Sequence, residues 1–577
     1  MTVIARLRIF ISLLVAVSLI SFSFPVHAES PSSKYGGQLV FATTSDPKSF
    51  NDMVAKETST SMVTAFLFEG LTRRNTETLK VEPNLAERWT VSEDGLTWTF
   101  FLRKDVLWSD GVPLTADDVV FTFNDLIFNP DVANSSADIF TIDGKPFKVT
   151  KVDDHTVQFV LPVKFAPFLR SMSQPIFPKH KLAKSVEEKK FNFTWGIDTD
   201  PKEIVGQGAF ILAEYHPGES IILKRNPLFW RTTAEGERLP YLDEITIVIV
   251  PNDDVELLKF IDGSLDYYDL RGTDYPLVKP LEAKRNFTIY DIGPSMGSSF
   301  MVFNLNPGKN PKTQKPFVDP VKSAWFNDLN FRQAVAHAID RDQIIKIVLN
   351  GLGYPQYSPI GPGDPFFNNP NVTKYNYDLK KARQILADAG YIDRNKDGFI
   401  EDPKGNTIEF NLTVNAGSGA GIDIAAIIRN DLEGLGMDVR LQPLEFNTLV
   451  SKLTSTYEWE TVVLGLTGGS EPHFGKNVWT SDGQLHMWNP KQEKPATAWE
   501  KRIDELFSLG VQELNQDKRK VFYDEYQQIV SDNLPLIYTV LSARQAAVRN
   551  KFGNLRPTSE GGAIHNIEEI YVKPEYR

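Results

Sequence analysis

The hydrophobic and polar positions between residues 86 and 128 predict a hairpin, a turn and a capped helix. Trp98, Phe100 and Leu102 alternate with Thr99, Phe101 and Arg103. This is the period of a strand whose first three named side chains form one buried face. Asp94 and Gly95 precede this strand as a turn signal. Thr115, followed three residues later by Asp118, predicts a helix start, and apolar residues with helical spacing continue to Ile127.

Strand and helix patterns alternate along the rest of the chain. Strands are predicted at 38–43, 147–161, 220–224, 245–250, 407–415, 438–443 and 535–541. Helices are predicted at 253–262, 331–349, 378–389 and 422–435. This mixing predicts an α/β or mixed α+β fold, and the length predicts three or four domains of about 150 residues.

The first residues have the pattern of a secretory signal peptide. Arg6 and Arg8 precede an apolar stretch over residues 9–24, and Ala28 ends the segment before a polar boundary. The apolar stretch is shorter than the roughly 20 residues that a membrane-spanning helix needs. We therefore expect residues 1–28 to be removed and the mature protein to be soluble.

Composition narrows the class of protein. The chain has no cysteine, which excludes disulfides, thiol nucleophiles and zinc-thiolate sites and also a lipid-modified cysteine anchor. The formal charge is -12, and it becomes -14 when Arg6 and Arg8 leave with the signal peptide. An acidic chain is a poor partner for nucleic acid, whose phosphates need an excess of lysine and arginine. A protein free in the periplasm fits these features.

The residue order from 86 to 128 resembles the signature of the family 5 bacterial extracellular solute-binding proteins, the dipeptide and oligopeptide receptors of ABC importers. The likeness continues through E-G-L at 69–71, V-G-Q-G-A-F at 205–210, K-R-N-P-L-F-W at 224–230, L-P-Y-L-D-E-I at 239–245, F-R-Q-A-V-A-H-A-I-D-R-D at 331–342 and Y-D-L-K-K-A-R-Q-I-L-A-D-A-G-Y at 377–391. The blocks cover nearly the whole mature chain in the family's order.

The resemblance implies a two-lobed periplasmic-binding-protein fold with a small additional domain. One lobe would contain residues 29–75, 200–294 and 542–577, with residues 76–199 appended to it, and residues 295–541 would form the other lobe. A solute, by this resemblance a peptide, would be captured between the lobes without covalent chemistry and without a required cofactor. We expect a monomer that delivers the solute to ABC transporter permease subunits in the inner membrane.

The segment from 459 to 488 is the strongest candidate for ligand contact. It contains glycines that permit close backbone approach, beside a carboxylate and flat apolar side chains. The candidates in it are Thr467, Gly468, Gly469, Ser470, Glu471, Trp479 and Trp488. In peptide receptors of the family an aspartate in this region often holds the ligand's amino group, and this chain has no matching Trp-x-x-Asp. Further candidates, placed by the family pattern, are Glu57, Thr58 and Asn304.

Two other functions stay open at the level of the sequence. In the first, the same fold binds an oligosaccharide, an opine-like conjugate or a metal chelate, as suggested by the missing aspartate for the ligand's amino group and by the tryptophans. In the second, the protein is a secreted serine hydrolase, since Gly293, Ser295 and Gly297 match G-x-S-x-G. The hydrolase motif needs a helix directly after the serine, and residues 299–305 have a strand pattern instead.

An acidic loop predicts a structural calcium site. Asp393, Asn395 and Asp397 alternate before a glycine, and the Phe399 carbonyl is next in line, as in a calcium-binding loop. Position twelve of the motif is Lys404 where a glutamate is usual, so Glu401 would have to serve. A solvated turn after the preceding helix is the alternative interpretation.

Overall fold

The computed structural model describes residues 34–55, 58–134, 137, 139–142, 145–483, 485–490 and 492–577. The predicted signal peptide and Glu57 lie outside the described residues. Among the helices that are described, none combines the length and the apolar character that a membrane crossing requires. Helices and strands are mixed throughout, and the mixed α/β class is confirmed.

The first sheet has four strands. In spatial order they are Gln38–Thr43, Glu244–Ile249, Ser220–Arg225 and Phe210–His216. The first two strands are parallel, with Gln38 opposite Glu244, and the remaining pairs are antiparallel. Three of the four occupy segments that the sequence predicted as strands.

The second sheet joins the end of the chain to its middle. Val540–Arg549 is the central strand and pairs antiparallel with Tyr267–Leu270 on one side and Phe287–Pro294 on the other. The short strand Gly353–Pro355 pairs with the first residues of the same central strand. The C-terminal segment is therefore built into a sheet whose other strands come from residues far earlier in the chain.

Residues 86–160 form a separate antiparallel sheet. Its order is Ala86–Val91, Thr97–Leu102, Thr156–Val160 and Lys148–Asp153. The predicted capping box is present: Thr115 accepts from the helix backbone and the Asp118 carboxylate accepts from the Thr115 N–H at 2.9 Å. The helix Ala116–Val120 continues as a π-helix, Phe121–Ile127. The predicted hairpin and capped helix are confirmed.

The third large sheet has five strands. Their spatial order is Asp438–Leu444, Glu409–Asn415, Thr461–Leu466, Ser298–Phe303 and Leu536–Tyr538. Aromatic side chains pack on one face, where the rings of Phe303 and Phe326 have centroids 4.9 Å apart. Phe300 and Val302 point to the opposite face, which packs against the tryptophan-rich segment near residue 479.

Short strand pairs and helices complete the description. The pairs are Thr72–Arg74 with Val81–Pro83, Thr141–Ile142 with Lys145–Pro146, and Phe552–Gly553 with Tyr571–Val572. The other α-helices include Thr58–Thr64, Phe168–Ser171, Lys179–Glu187, Asp253–Asp262, Tyr275–Val278, Glu282–Arg285, Pro320–Asn327, Leu329–Ala338, Arg341–Ile347, Leu379–Asp388, Gly419–Glu433, Phe446–Ser451, Lys476–Trp479, Ala498–Gln512 and Gln516–Asn533.

Three predicted elements differ from the structure. The strand predicted at 147–161 is two antiparallel strands, Lys148–Asp153 and Thr156–Val160, joined by a turn at 154–155. The helix predicted at 331–349 is two helices, because Ile339 is extended and the Asp340 carboxylate caps a new helix by accepting from the Gln343 N–H at 2.9 Å. The strand predicted at 535–541 is broken at Thr539, and its second part runs on to Arg549. The division into lobes at 29–75, 200–294 and 542–577, 76–199, and 295–541 stays a prediction.

Candidate functional site

A cavity of about 320 Å³ lies beside the segment where the chain crosses from the second sheet to the five-stranded sheet. The crossing segment Met296–Ser298 forms one side, and the end of strand Thr461–Leu466 with the following glycines forms another. Its lining also includes Pro359, Ile360, Gly361, Asp364, Glu471, Pro472, Phe474, Gly475, Val478, Trp479, Tyr526, Leu536 and Tyr538. Its volume is at the lower end of the range for small-ligand sites.

Backbone groups at the rim of this cavity are left without partners. Ser298 and Leu466 form the last pair of their two antiparallel strands. Beyond that pair, the N–H groups of residues 467–469 donate to no other group within the described part of the chain. Residues 467–469 are exposed, so these N–H groups face solvent and an extended ligand would find free donors here.

The glycines bring two backbone segments together. A Cβ placed on Gly468 would overlap the carbonyl oxygen of Met296, and one placed on Gly297 would lie 2.7 Å from the oxygen of Leu466. A Cβ on Gly469 would meet nothing within 4 Å. Close backbone approach therefore requires glycine at 468, while Gly469 is unconstrained by packing.

Trp479 forms an apolar wall of the cavity, and Trp488 lies behind it. Their ring centroids are 5.7 Å apart, and only 1% of Trp488 is exposed. The Trp488 indole N–H donates to Glu500 at 3.1 Å. Burial raises the pKa of Glu500, but its hydrogen bonds, that from His486 foremost, outweigh burial and lower the pKa to about 2. Trp488 thus supports the wall and does not line the cavity.

Glu471 lines the cavity, and its negative charge is paired with Arg519. Its carboxylate accepts two hydrogen bonds from Arg519, at 2.6 and 3.1 Å, and both side chains are buried. The paired arrangement is the bidentate geometry that makes arginine–carboxylate contacts strong. The sequence offers Glu471 as a charge for the ligand; in the structure that charge is paired with Arg519, and ligand contact at Glu471 stays a prediction.

Ser470 connects the two sides of the cleft. Its hydroxyl lies 3.3 Å from both carboxylate oxygens of Glu560, in the C-terminal segment. Arg74 and Arg170 hold the same carboxylate at 2.9 and 3.1 Å. Nearby, the Ala166 N–H donates to the Val511 carbonyl at 2.6 Å. These contacts join residues 74–170 and the C-terminal segment to residues 470–511, as a closed arrangement requires.

Asp364 is a cavity residue that the sequence prediction missed. Its Oδ1 accepts from the N–H groups of Phe366 and Phe367, each at 3.0 Å. Its Oδ2 is buried and has no partner among the described residues. The Asp-Pro pair at 364 and 365 signals the turn that the structure shows, but no sequence signal indicates where the second oxygen lies.

Thr58 and Asn304 are not brought to the cavity. Thr58 is exposed at the start of its helix. Asn304 is buried and donates to the carbonyls of Tyr457 and Trp459, both at 2.9 Å, while its own carbonyl accepts from Asn306. The amide therefore ties backbone segments together, and ligand contact at either residue stays a prediction, as it does for Glu57.

Residues 80–485 match the family model for bacterial extracellular solute-binding proteins, family 5. The chain belongs to this family. A probable ABC transporter-binding protein of Deinococcus radiodurans is 31% identical over 526 residues, which cover 87% of this chain and 86% of that protein.

Solved structures show that the solute-binding protein has the two-lobed fold. The oligopeptide-binding protein AppA of Bacillus subtilis, in complex with a nonapeptide, superposes with a TM-score of 0.71 at 25% identity over 94% of this chain and 100% of that chain. The periplasmic binding protein MelB of Agrobacterium fabrum, in complex with stachyose, gives a TM-score of 0.72 at 23% identity. The match covers 93% of this chain and 85% of that chain.

The acidic loop of the solute-binding protein brings three carboxylates together. One oxygen from each of Asp393, Asp397 and Glu401 lies within 4.8 Å of the others. Several of these oxygens also accept loop N–H groups: Asp393 from Lys396 and Gly398, Asp397 from Phe399 and from the Asn395 side chain, and Glu401 from Arg394. Both a calcium loop and a solvated turn have such bonds, so the calcium site stays a prediction.

Ser295 of the solute-binding protein lies between two strands. Phe287–Pro294 precedes it and Ser298–Phe303 follows it, and its N–H donates to the Ser542 carbonyl at 3.0 Å. A nucleophile elbow needs a strand followed by a helix. The segment is a crossing between sheets, and the family's members named above are binding proteins for transport.

Proposed function

We propose that the protein is a periplasmic receptor that captures a peptide in the cavity beside Met296–Ser298 and delivers it to the permease of an ABC importer. The observation that carries the proposal is the pair of strands ending at Ser298 and Leu466 with unpaired backbone N–H groups beyond it. An extended peptide has carbonyls at the spacing of a strand and accepts such bonds. Affinity then depends little on the peptide's side chains.

Closure of the lobes would bring a second surface to this cavity. The cavity is lined by residues between 296 and 538, and Ser470 beside it hydrogen-bonds Glu560 of the C-terminal segment, so a bound ligand would meet that segment when the lobes are together. Contacts on both sides exist only in the closed form, so ligand shifts the population toward it. The permease then receives a form that differs in shape from the empty receptor.

The peptide proposal is tested by thermal stability. The purified protein is heated with di- to pentapeptides and, in parallel, with oligosaccharides such as stachyose. A ligand at one hundred times its Kd stabilises the folded state by about 2.7 kcal/mol, which is measurable as a rise in Tm. A rise with peptides supports the proposal. A rise with stachyose alone overturns it.

A non-peptide solute is the second candidate, and Gly468 favours it. This position is a glycine in the segment where peptide receptors of the family often have an aspartate for the ligand's amino group, and Trp479 lines the same cavity as a flat apolar wall. Sugars stack on such walls. The relative MelB, whose structure contains stachyose, has the same fold. Mass spectrometry of solute that co-purifies with the protein separates the two candidates.

The remaining assignments complete the proposal. The acidic charge of -12 argues against a nucleic-acid partner. The absence of cysteine argues for a protein free in the periplasm, without a lipid anchor. We propose a monomer that needs no cofactor and no catalytic residue for capture, with calcium at the acidic loop as a structural ion at most.

A further inference from the structure

A seam of contacts joins the segment of residues 86–170, which contains the separate antiparallel sheet, to the helix Ala498–Gln512. The Ala166 N–H donates to the Val511 carbonyl at 2.6 Å, and Val511 is buried in the hydrophobic cluster that contains Phe165. Earlier residues of the same helix are buried together with residues of the five-stranded sheet. The helix therefore links two hydrophobic cores, and the two parts of the protein meet at its end.

His473 lies at this seam with its ring against Phe165. The two ring centroids are 5.6 Å apart, and the ring planes are nearly perpendicular, at 80°. Both residues line a crevice of about 320 Å³, whose other described walls come from residues 139–163 on one side and 476–512 on the other. The Nδ1 of His473 is buried and has no hydrogen-bond partner among the described residues. Separation of the two sides would remove Phe165 from the ring and admit water to it.

Burial outweighs the charges around His473. Glu471 would attract a proton on the ring, but Arg519 is paired with that carboxylate and, like Lys476, repels the proton. The described residues that line the crevice from the 86–170 segment are uncharged: Ile139, Thr141, Ile142, Val163 and Phe165. The other charged residues of the crevice belong to the same side as His473: Asp482, Glu493, Lys494 and Asp504. Burial lowers the pKa of His473 to about 4.

We propose that His473 is a pH-sensitive switch for closure: the neutral imidazole permits the seam to form, and a proton on it favours separation of the two sides. In the closed seam an imidazolium loses its hydration and gains no partner for its Nδ1–H. In the open form water hydrates it. The receptor therefore holds its cargo less tightly in acid. The inference rests on the closure in the proposed function and not on the identity of the cargo.

The direction of the effect follows from the protonation of the two forms. In the closed form the pKa of His473 is about 4, and in the open form it returns toward its ordinary value of 6.5. Closure is therefore unopposed above pH 6.5 and is lost progressively as pH falls toward 4. A full return to 6.5 corresponds to a loss of about twentyfold in the closing equilibrium between pH 7 and pH 5.

The test measures closure without any cargo, by crosslinking across the seam. The chain has no cysteine, so Ala166→Cys with Gln512→Cys introduces the only thiols. The backbone of residue 166 is bonded to that of residue 511, and Gln512 is exposed. The rate of disulfide formation with diamide is measured from pH 8 to pH 5 in this background and in the same background with His473→Gln. The ratio of the two rates cancels the pH dependence of the thiols themselves.

We expect the ratio of the rate with His473 to the rate with His473→Gln to be constant above pH 7 and to fall at least fivefold by pH 5. His216→Gln is the matched control, because His216 is exposed on the strand Phe210–His216 and should leave the pH dependence unchanged. A constant ratio overturns the proposal. A ratio that rises toward low pH overturns it too, because the imidazolium would then be held by the Phe165 ring.

A second measurement keeps the test valid if His473→Gln does not fold. Titration of the His473 ring by NMR should give a lower pKa in the crosslinked protein than in the reduced protein, and the same pKa in both overturns the proposal. Neither measurement uses a cargo. A receptor that binds no peptide but shows the falling ratio therefore loses the proposed function and keeps the switch, whereas peptide binding with a constant ratio does the reverse.

Discussion

The hydroxyl of Ser470 donates to the carboxylate of Glu560 across the cleft, at 3.3 Å from each oxygen. Glu560 belongs to the C-terminal segment, which completes the sheets of the first part of the chain, whereas Ser470 follows a strand of the five-stranded sheet. The bond therefore exists only when the two parts are together. It is a contact of the closed form that involves no ligand atom.

Removing this contact should weaken closure. We expect Ser470→Ala to lower ligand affinity by about 0.5–1.5 kcal/mol, the usual net value of a hydrogen bond. Small-angle scattering of the ligand-free protein should show a larger radius of gyration for the variant. Glu575→Ala is a suitable control, because Glu575 is exposed near the C-terminus. Unchanged affinity and scattering for Ser470→Ala would mean that the contact does not contribute to closure.

Gly468 and Gly469 provide a matched pair of substitutions. Gly468→Ala places a Cβ against the Met296 carbonyl, a backbone atom that has little freedom to move, whereas Gly469→Ala meets nothing. We expect Gly468→Ala to lower ligand affinity at least tenfold or to lower Tm by several degrees. Gly469→Ala should change the affinity by less than about twofold. Equal effects of the two substitutions in titration and thermal unfolding would contradict this account of the crossing segment.

Glu500 should stabilise the wall behind the cavity. It accepts hydrogen bonds from His486, Trp488, Gln492 and Thr497. Glu500→Ala leaves the buried donors of His486 and Trp488 without an acceptor, and we expect a loss of about 3 kcal/mol in the free energy of unfolding. Glu505→Ala, on the same helix, removes only an exposed ion pair with Arg502 and should cost less than about 1 kcal/mol. Urea unfolding of both variants measures the difference.

The contribution of Glu500 should also depend on pH. Its pKa is lowered from 4.5 to about 2, so the folded state favours the charged form. The stabilisation is complete above the unfolded pKa of about 4.5 and is lost as pH falls toward 2. The difference in unfolding free energy between the wild type and Glu500→Gln should therefore shrink between pH 4.5 and 2. A difference that stays constant over this range would contradict the assignment.

The acidic loop gives a direct test for calcium. If the site of Asp393, Asp397 and Glu401 holds a structural ion, 1 mM calcium should raise Tm above the value in chelator, and magnesium should have a smaller effect because it prefers smaller octahedral sites. Asp397→Asn should reduce the calcium effect. A Tm that is the same in calcium and chelator would identify the loop as a solvated turn.

Local signals along the chain predicted most of the fold. The capping box at Thr115 and Asp118 and the alternation from Trp98 to Leu102 are decided by neighbouring residues, and both are present in the structure. The two long helices Ala498–Gln512 and Gln516–Asn533 were missed, although Thr497 and Glu500 form a capping box that signals the first of them. The family resemblance supplied the proposed division into lobes, which periodicity alone does not give.

The cavity was predicted less completely, because its chemistry depends on pairs that are distant in sequence. Glu471 has the residue type of a ligand contact, yet Arg519 neutralises it from another helix. Trp488 has the residue type of an apolar wall, yet it packs behind Trp479. Asp364 lies in a proline-rich connection where the sequence suggests only a turn, and the burial of its unpartnered Oδ2 is evident only in three dimensions.

The position of Val540–Arg549 at the centre of the second sheet makes that sheet depend on the C-terminal part of the chain. Tyr267–Leu270 and Phe287–Pro294 each pair with this strand, so without it both would present unpaired edges. The five-stranded sheet takes its strands from residues 298–538 and uses none beyond Tyr538. A chain truncated before residue 540 should therefore keep every strand of one sheet and expose two strand edges of the other, which favours aggregation.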